Sequence, residues 1–165
     1  MTNHAPSHSS TRHDGAAKHH YAMLAAMVAL SFVSMYALMY AMVYSFGDVF
    51  NSVNQVYMAG LMAAPMALIE LALMRSMYRD NTLNMIVIAA SVIALIAFFI
   101  LIRQQTAIGD RQFLRSMIPH HSGAVLMCER ATITDPEIKK LCGEIISSQK
   151  SEIDQMRAIL DRLNK

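Results

Sequence analysis

The chain has 165 residues and a formal net charge of +2, and 55% of its residues are hydrophobic but only 16% are charged. Soluble domains have about 25% charged residues, so this composition favours a membrane protein and excludes disorder for most of the chain. A net charge this small, spread over residues of both signs, also excludes the basic surface of a nucleic-acid-binding protein.

The first 20 residues are rich in Ser, His and Ala and contain no periodic apolar pattern. A segment of this composition cannot bury enough apolar surface to fold, so we predict a disordered tail over residues 1–20. Its five histidines could bind metal ions loosely, as His-rich tracts do.

Three blocks without a formal charge follow, at 19–47, 49–69 and 81–102. Each is long enough for the roughly 20-residue helix that crosses about 30 Å of hydrocarbon. We therefore predict a membrane region over 21–103 with three transmembrane helices, at about 22–46, 52–74 and 83–102. The first helix is expected to be an uncleaved anchor, because its apolar stretch is much longer than the roughly 7–15 residues of a signal-peptide core.

Methionines form rows on the first two predicted spans. These rows are Met35, Met39 and Met42 on the first span, and Met58, Met62 and Met66 on the second. Such rows can pass Cu(I) or Ag(I), but methionine is also an ordinary, adaptable residue in helix packing. We expect packing here, because three spans alone would make a poor pore.

After the third span the pattern becomes amphipathic, which predicts a helical domain over 104–165 with helices at 110–131 and 136–164. Asp135 is a good N-cap for the second of these helices, and Pro136 suits its first position.

Positive charges flank the predicted spans unevenly. Arg12 and Lys18 precede the first span, Arg75 and Arg79 follow the second, and the intervening link has Asp48 but no Lys or Arg. The positive-inside rule then places the N-terminus in the cytoplasm. We expect a protein of the bacterial inner (cytoplasmic) membrane, with its C-terminal domain in the periplasm.

A dense group of metal-capable side chains lies on the first amphipathic helix. At about 100° per residue, four of them fall within about 40° of one another and two more flank that stripe. The four are Asp110, Met117, His121 and Cys128, and the two are His120 and Met127. Pro119 interrupts the run and is expected to kink or restart the helix, so these angles are approximate.

The second amphipathic helix has Gln149 and Glu152 inside its apolar face. A buried carboxylate and amide are costly unless paired, so partners are expected, and an antiparallel hairpin supplies them. The expected pairs are Cys128 with Cys142, His121 with Gln149 and Met117 with Glu152, and Met156 follows one turn further along. Outside the cytoplasm the cysteines could form a disulfide, which would compete with metal binding by the thiols.

Thioether, thiol and imidazole groups together suit soft cations, above all Cu(I). Structural zinc sites need four Cys or His ligands at recognisable spacing, and di-iron carboxylate sites need Glu-x-x-His motifs, which this sequence lacks. The pattern alone leaves two interpretations open: a metal site, or a packed core whose polar residues satisfy one another.

Two sequence strings resemble a known family. The run from Asp110 to Phe113 and the string Met117-Ile-Pro-His-His-Ser-Gly-Ala124 are similar to the signature of domain of unknown function 305. Positions matching that family's second helix are Asp135, Pro136, Leu141, Ile145, Ile146, Gln149, Glu152, Ile153 and Met156. The resemblance covers about residues 110–160, and the membrane half is similar to a subgroup with three spans.

This resemblance implies a ferritin-like helical bundle and, by analogy with some members, copper binding in the bacterial periplasm linked to copper tolerance. Six residues occupy the family's motif positions: Met117, His120, His121, Gln149, Glu152 and Met156. Cys128 and Cys142 lie where members commonly have other small residues, so any role of these thiols is specific to this chain.

We therefore expect an all-α integral membrane protein that binds a soft metal ion, above all copper as Cu(I), in metal handling or tolerance. Met117, His120 and His121 are the expected ligands, followed by Met127, Cys128 and Met156. Asp110, Gln149 and Glu152 are expected around them, with the last two orienting the imidazoles. The alternative is a membrane assembly module with a structural polar network. An enzyme is not expected, because the sequence has no nucleophile with a base at credible spacing and no phosphate-binding loop.

The expected partners are the lipid bilayer, unknown copper-handling proteins and a second copy of the chain. Two helices over about 55 residues are near the lower limit for a stable core, and each would leave one flank of its apolar stripe exposed. A second copy related by a two-fold axis would complete a four-helix bundle.

Overall fold

The computed structural model describes residues 10–165, with side chains from residue 19 onward. Within this part of the chain there are five α-helices, two short 3-10 helices and no strand, which confirms the predicted all-α class. The α-helices are α1 (Ser10–Leu38), α2 (Val53–Leu73), α3 (Asn81–Gln104), α4 (Asp110–Arg130) and α5 (Pro136–Leu163); the 3-10 helices are Met39–Met42 and Phe46–Asp48.

Helices α2 and α3 agree with the second and third predicted spans to within two residues at each end. Helix α1 begins at Ser10, well before the expected start near 22. This start corrects the disorder expected for residues 10–20, where helix-favouring residues such as Ala16 and Ala17 extend the helix. The rest of the predicted tail, residues 1–9, lies outside the described residues.

The first helix also ends earlier than residue 46. After Leu38 the backbone tightens into the 3-10 helix Met39–Met42 and is extended at Val43. The Tyr44 amide then donates to Ser122 Oγ at 2.7 Å instead of to a carbonyl one turn back. Hydrogen bonds outside the helix therefore replace the helical ones at this end.

Three segments are long and apolar enough to cross a membrane: His19–Met42, Val53–Leu73 and Asn81–Gln104. Large apolar side chains such as Leu30 on α1 and Ile93 on α3 are about two-thirds exposed. Exposed apolar surface on this scale is typical of helices that contact lipid rather than water. These helices support the prediction of membrane association.

The chain forms two compact units: Met1–Met35 with Ala59–Ile100, and Tyr36–Met58 with Leu101–Lys165. In the first unit, Leu24, Ala67, Leu71 and Tyr78 form a buried apolar cluster. Small residues on α2 allow close helix packing. A Cβ at Gly60 would lie 2.4 Å from the ring of Phe98, so only glycine leaves room for that ring.

In the second unit, α4 and α5 form the predicted antiparallel hairpin. Cys128 and Cys142 are joined by a disulfide at one end, and the Arg111 guanidinium donates to the Leu163 carbonyl at the other. The predicted cap of α5 is confirmed, because Asp135 accepts from the two following helical amides at 2.9 and 3.0 Å. Helix α4 continues through Pro119 instead of restarting there.

The hairpin core is a buried cluster of Leu114, Ile118, Ile153 and Leu160, and Phe50 from the α1–α2 link packs against it. Both 3-10 helices of that link also contact α4. The chain's own link therefore covers part of the hairpin that we expected a second copy to cover.

Candidate functional site

The second unit contains a cavity of about 620 Å³ that brings methionines from three helical segments together. Its soft donors are the thioethers of Met39, Met42, Met58, Met117 and Met127 and the imidazole of His120. Three of the predicted ligands, Met117, His120 and Met127, thus line one space. Among the described residues, no charged one lines this cavity.

The polar residues at the cavity are hydrogen-bonded to one another. The Asn54 amide donates to Gln105 Oε1 at 3.0 Å and to Ser116 Oγ at 3.3 Å. These bonds satisfy the polar groups locally. The thioether and imidazole groups then remain to contact a bound ion, and such donors favour a soft metal ion.

Gly123 lies where the α1–α2 link packs against α4 at this cavity. A Cβ at Gly123 would lie 3.4 Å from the carbonyl oxygen of Met42. This is an ordinary van der Waals distance, so the 3-10 helix packs directly against α4 here, and both residues line the cavity.

The two adjacent histidines have different surroundings, because consecutive residues on a helix are rotated by about 100°. His120 is exposed and lines the cavity. His121 is partly buried instead, and its Nδ1 lies 2.9 Å from Glu152 Oε2 on α5. That ring nitrogen lies close to the carboxylate but makes no well-aligned hydrogen bond with it. Glu152, rather than the expected Gln149, is therefore the partner of His121.

Cys128 is joined to Cys142 with the two Cα atoms 5.2 Å apart, as the hairpin register predicted. A disulfide sulfur is not a thiolate, and the thiolate is the form of cysteine that binds metal. The expectation that Cys128 is a metal ligand is therefore wrong for this oxidised form.

Met156 packs against the hairpin core of Leu114, Ile118, Ile153 and Leu160. It is not among the residues that line the methionine cavity. Asp110 is the first residue of α4, where a carboxylate stabilises the positive end of the helix dipole. Packing and the helix dipole therefore account for these two positions without a metal.

Five of the cavity-lining positions come from the first two of the three apolar spans: Met39, Met42, Asn54, Gln55 and Met58. The sequence had marked the three methionines as members of helical rows. It could not show that the first span would end at Leu38 and bring Met39 and Met42 to α4.

A buried polar network fixes the α1–α2 link on the hairpin. Asp48, only 3% exposed, accepts from Ser122 Oγ at 2.6 Å and pairs with the Arg157 guanidinium. Ser122 in turn accepts from the Tyr44 amide. Sequence reasoning missed Asp48 as a structural residue because its partners are more than 70 positions away.

A second ion pair lies near this network. Lys150 Nζ is 2.8 Å from Glu129 Oε1 and 5.2 Å from the centre of the Tyr44 ring. The hydrogen bond from Lys150 lowers the pKa of Glu129, and the same bond raises the pKa of Lys150. This pair adds a further contact between α4, α5 and the link.

Within the described residues, no group of three or more His, Cys, Asp and Glu side chains is placed to hold a metal ion. Sites of the zinc or di-iron kind are built from such residues. The candidate site of this chain is instead a cavity whose donors are mostly methionine sulfurs rather than Cys, Asp or Glu side chains.

Comparison with known proteins gives two matches. The family model described as a domain of unknown function, DUF305, matches residues 72–160, which extends the resemblance from the hairpin into the apolar region. The chain is also 38% identical over 143 residues to the uncharacterized protein L153 of Acanthamoeba polyphaga mimivirus, covering 85% of this chain and 92% of that protein. No solved structure matches the chain.

Proposed function

Since the chain belongs to the family described as domain of unknown function DUF305, we propose that it is an integral membrane protein that binds a soft metal ion, above all Cu(I), in metal handling or tolerance. One observation supports this most strongly: five thioethers and one imidazole line a single cavity to which the described part of the chain contributes no charged residue.

The donor set favours a soft monovalent cation. Thioether sulfur and imidazole nitrogen are donors that Cu(I) accepts, whereas Mg²⁺ and Ca²⁺ need oxygen ligands. A divalent ion in a cavity without anionic ligands would have two uncompensated charges, and the cost of transferring an ion from water increases with its charge. Met117, His120 and Met127 are the predicted ligands that this cavity supports, and Met39, Met42 and Met58 extend the set.

His121 has a different part in the proposal. Its contact with Glu152 at 2.9 Å holds α4 against α5, so it positions the helix that bears Met117 and His120. A carboxylate next to a histidine commonly fixes the orientation of that imidazole. His121 thus stabilises the frame of the cavity without lining it.

The proposed orientation has the N-terminus in the cytoplasm and the hairpin outside it, in the periplasm if the host is a bacterium. The Cys128–Cys142 disulfide supports this orientation, because disulfides persist in oxidising compartments and are rare in the cytosol. A fluorescent reporter that matures only in the cytoplasm, fused after Lys165, is expected to stay dark, and a periplasm-dependent enzyme fused there to be active. Bright fluorescence would contradict the orientation.

We also propose a homodimer. Ile138 and Leu141 on α5 remain about half exposed, and a second hairpin would cover them. Mass measurement in detergent is expected to give twice the chain mass. A monomer at micromolar concentration, with its hairpin still protected from protease, would contradict the dimer.

Titration of the purified chain in detergent with Cu(I), against a competing chelator, tests metal binding. His120→Ala and Met117→Leu are each expected to weaken Cu(I) binding by more than tenfold. Loss of a residue that only supports a metal ligand already costs roughly 10- to 100-fold in affinity, and loss of a ligand itself should cost at least as much. Met156→Leu is the matched control, a thioether outside the cavity lining, and should change affinity by less than about threefold. Equal affinity of wild type and Met117→Leu/His120→Ala would instead favour the assembly module.

A further inference from the structure

A second cavity, in the first unit, also brings soft donors together. It has a volume of about 380 Å³, and its donors are the imidazoles of His19 and His20, the thioethers of Met23, Met27 and Met77, and the carboxylate of Glu70. None of these residues lines the methionine cavity of the second unit. The two sets of donors are therefore separate.

His20 shows the feature that points to a ligand. Its Nδ1 is buried and has no hydrogen-bond partner among the residues that the structure describes. A buried polar nitrogen without a partner costs roughly 1–3 kcal/mol, so buried nitrogens are nearly always paired. The neighbouring rings of His19 and Tyr78 lie 6.4 and 6.5 Å away, centre to centre, and give it aromatic contacts but no acceptor or donor. A metal ion would satisfy this nitrogen.

Helical spacing places the other donors near His20. Residues three or four positions apart lie on one face of a helix, so His19 and His20 share a face with Met23, and Met23 with Met27. Met77, from the link between α2 and α3, lines the same cavity. The Met27 sulfur accepts a contact from Ser31 Oγ at 3.6 Å, so Met23 and Met77 are the thioethers better placed to bind.

Glu70 is held by a neighbour. The Tyr78 hydroxyl donates to Glu70 Oε1 at 3.3 Å. The carboxylate is thus oriented by Tyr78 and supplies a charge opposite to that of a cation.

We propose that His20, with His19, Met23 and Met77, forms a second binding site for a soft monovalent cation, Cu(I) or Ag(I). This site goes beyond the proposed function because it lies in the first unit and uses no residue of the methionine cavity. Glu70 balances the single positive charge, and the thioether donors favour a soft ion over Zn²⁺.

The test uses the full chain in detergent with Ag(I) as a redox-stable probe. The background variant is His4→Ala/His8→Ala/His13→Ala, which removes the other histidines of the N-terminal segment. We expect two equivalents of bound Ag(I). The pair His20→Ala/Met23→Leu should bind one equivalent, and so should Met117→Leu/His120→Ala. The combination of all four substitutions should bind none.

This design distinguishes a negative result for the second site from a negative result for the methionine cavity. Two equivalents in His20→Ala/Met23→Leu would overturn the second site, whatever the methionine cavity does. If Ag(I) binding is reduced by the His20→Ala/Met23→Leu pair but not by the Met117→Leu/His120→Ala pair, the second site is supported and the methionine cavity is not. Met74→Leu, a matched thioether outside both cavities, is the control and should retain both equivalents.

A second measurement covers the case in which the His20 variant does not fold. Ring nitrogen NMR of the unsubstituted chain, labelled at histidine, should show the His19 or His20 nitrogens shifting on addition of Ag(I). Nitrogen shifts confined to other histidines would overturn the proposal. Zn²⁺ at the same concentration should not reproduce the shift, and a zinc shift of equal size would contradict the preference for a soft ion.

Discussion

Arg157 on α5 forms an ion pair with Asp48 in the α1–α2 link, although 109 positions separate the two residues in the chain. Asp48 is buried and also accepts from Ser122 on α4. One carboxylate therefore joins the link to both helices of the hairpin. Because Met42 belongs to the same link, this contact also fixes one wall of the methionine cavity.

Replacing Asp48 tests this relationship. Asp48→Ala removes the acceptor of two hydrogen bonds and leaves Arg157 without its partner. We therefore expect the free energy of unfolding to fall by roughly 2–3 kcal/mol and the melting temperature to decrease. The measurement is thermal unfolding of the purified chain in detergent. Asp161→Ala, an exposed aspartate on α5, is the control. Equal melting temperatures of Asp48→Ala and the control would contradict the structural role.

The disulfide gives a second prediction. The bond between Cys128 and Cys142 closes a loop with a sequence separation of 14, and crosslinks of this length stabilise by about 3 kcal/mol when native geometry is kept. Intact mass without reductant should show no free thiol. Reduction, or Cys128→Ser/Cys142→Ser, should lower the melting temperature.

Metal binding gives the disulfide prediction a second readout. Because neither sulfur is a free thiolate, Cys128→Ser/Cys142→Ser should keep the Cu(I) stoichiometry of the unsubstituted oxidised chain. Loss of one equivalent in this variant would mean that a cysteine is a ligand after all. Two free thiols in the purified chain would contradict the pairing itself.

The pair of Glu129 and Lys150 predicts a pH dependence. The hydrogen bond from Lys150 lowers the pKa of Glu129 in the folded chain below its ordinary 4.5. The folded state therefore gains stability from this carboxylate above about pH 4.5, and that gain disappears as the pH falls through the lowered folded pKa. Glu129→Gln should make the acid side of the stability profile less steep.

The control for this pH profile is Glu144→Gln. Glu144 lies 4.0 Å from Lys140 on the exposed surface of α5, and a solvent-exposed pair at that distance contributes little. The measurement is the melting temperature between about pH 3 and 7. A Glu129→Gln profile that is parallel to that of the unsubstituted chain would contradict the prediction.

Local sequence signals predicted much of the hairpin correctly. Asp135 and Pro136 fixed the start of α5, and the 3.6-residue periodicity of both helices fixed the register that pairs Cys128 with Cys142. These signals are local or lie within one hairpin, so neighbouring residues in the sequence were enough to read them. The end of α1 was different, because Tyr44 donates to Ser122 across 78 positions.

The candidate site was predicted only in part for the same reason. Met117, His120 and Met127 share one helix, and the spacing of their helix brings them to one cavity. Met156 has the right chemistry, but it packs against the hairpin core and does not line the cavity. Periodicity shows which residues face inward, and it does not show whether the inward space is a packed core or a cavity.

The most direct test of the central claim is copper X-ray absorption spectroscopy of the Cu(I)-loaded chain. The sample should have His20→Ala/Met23→Leu, so that only the methionine cavity contributes. We predict a coordination shell dominated by sulfur with a smaller nitrogen contribution, and a lower sulfur number in Met117→Leu but not in Met156→Leu. A shell of nitrogen and oxygen alone, or a sulfur number unchanged by Met117→Leu, would contradict a thioether-rich copper site.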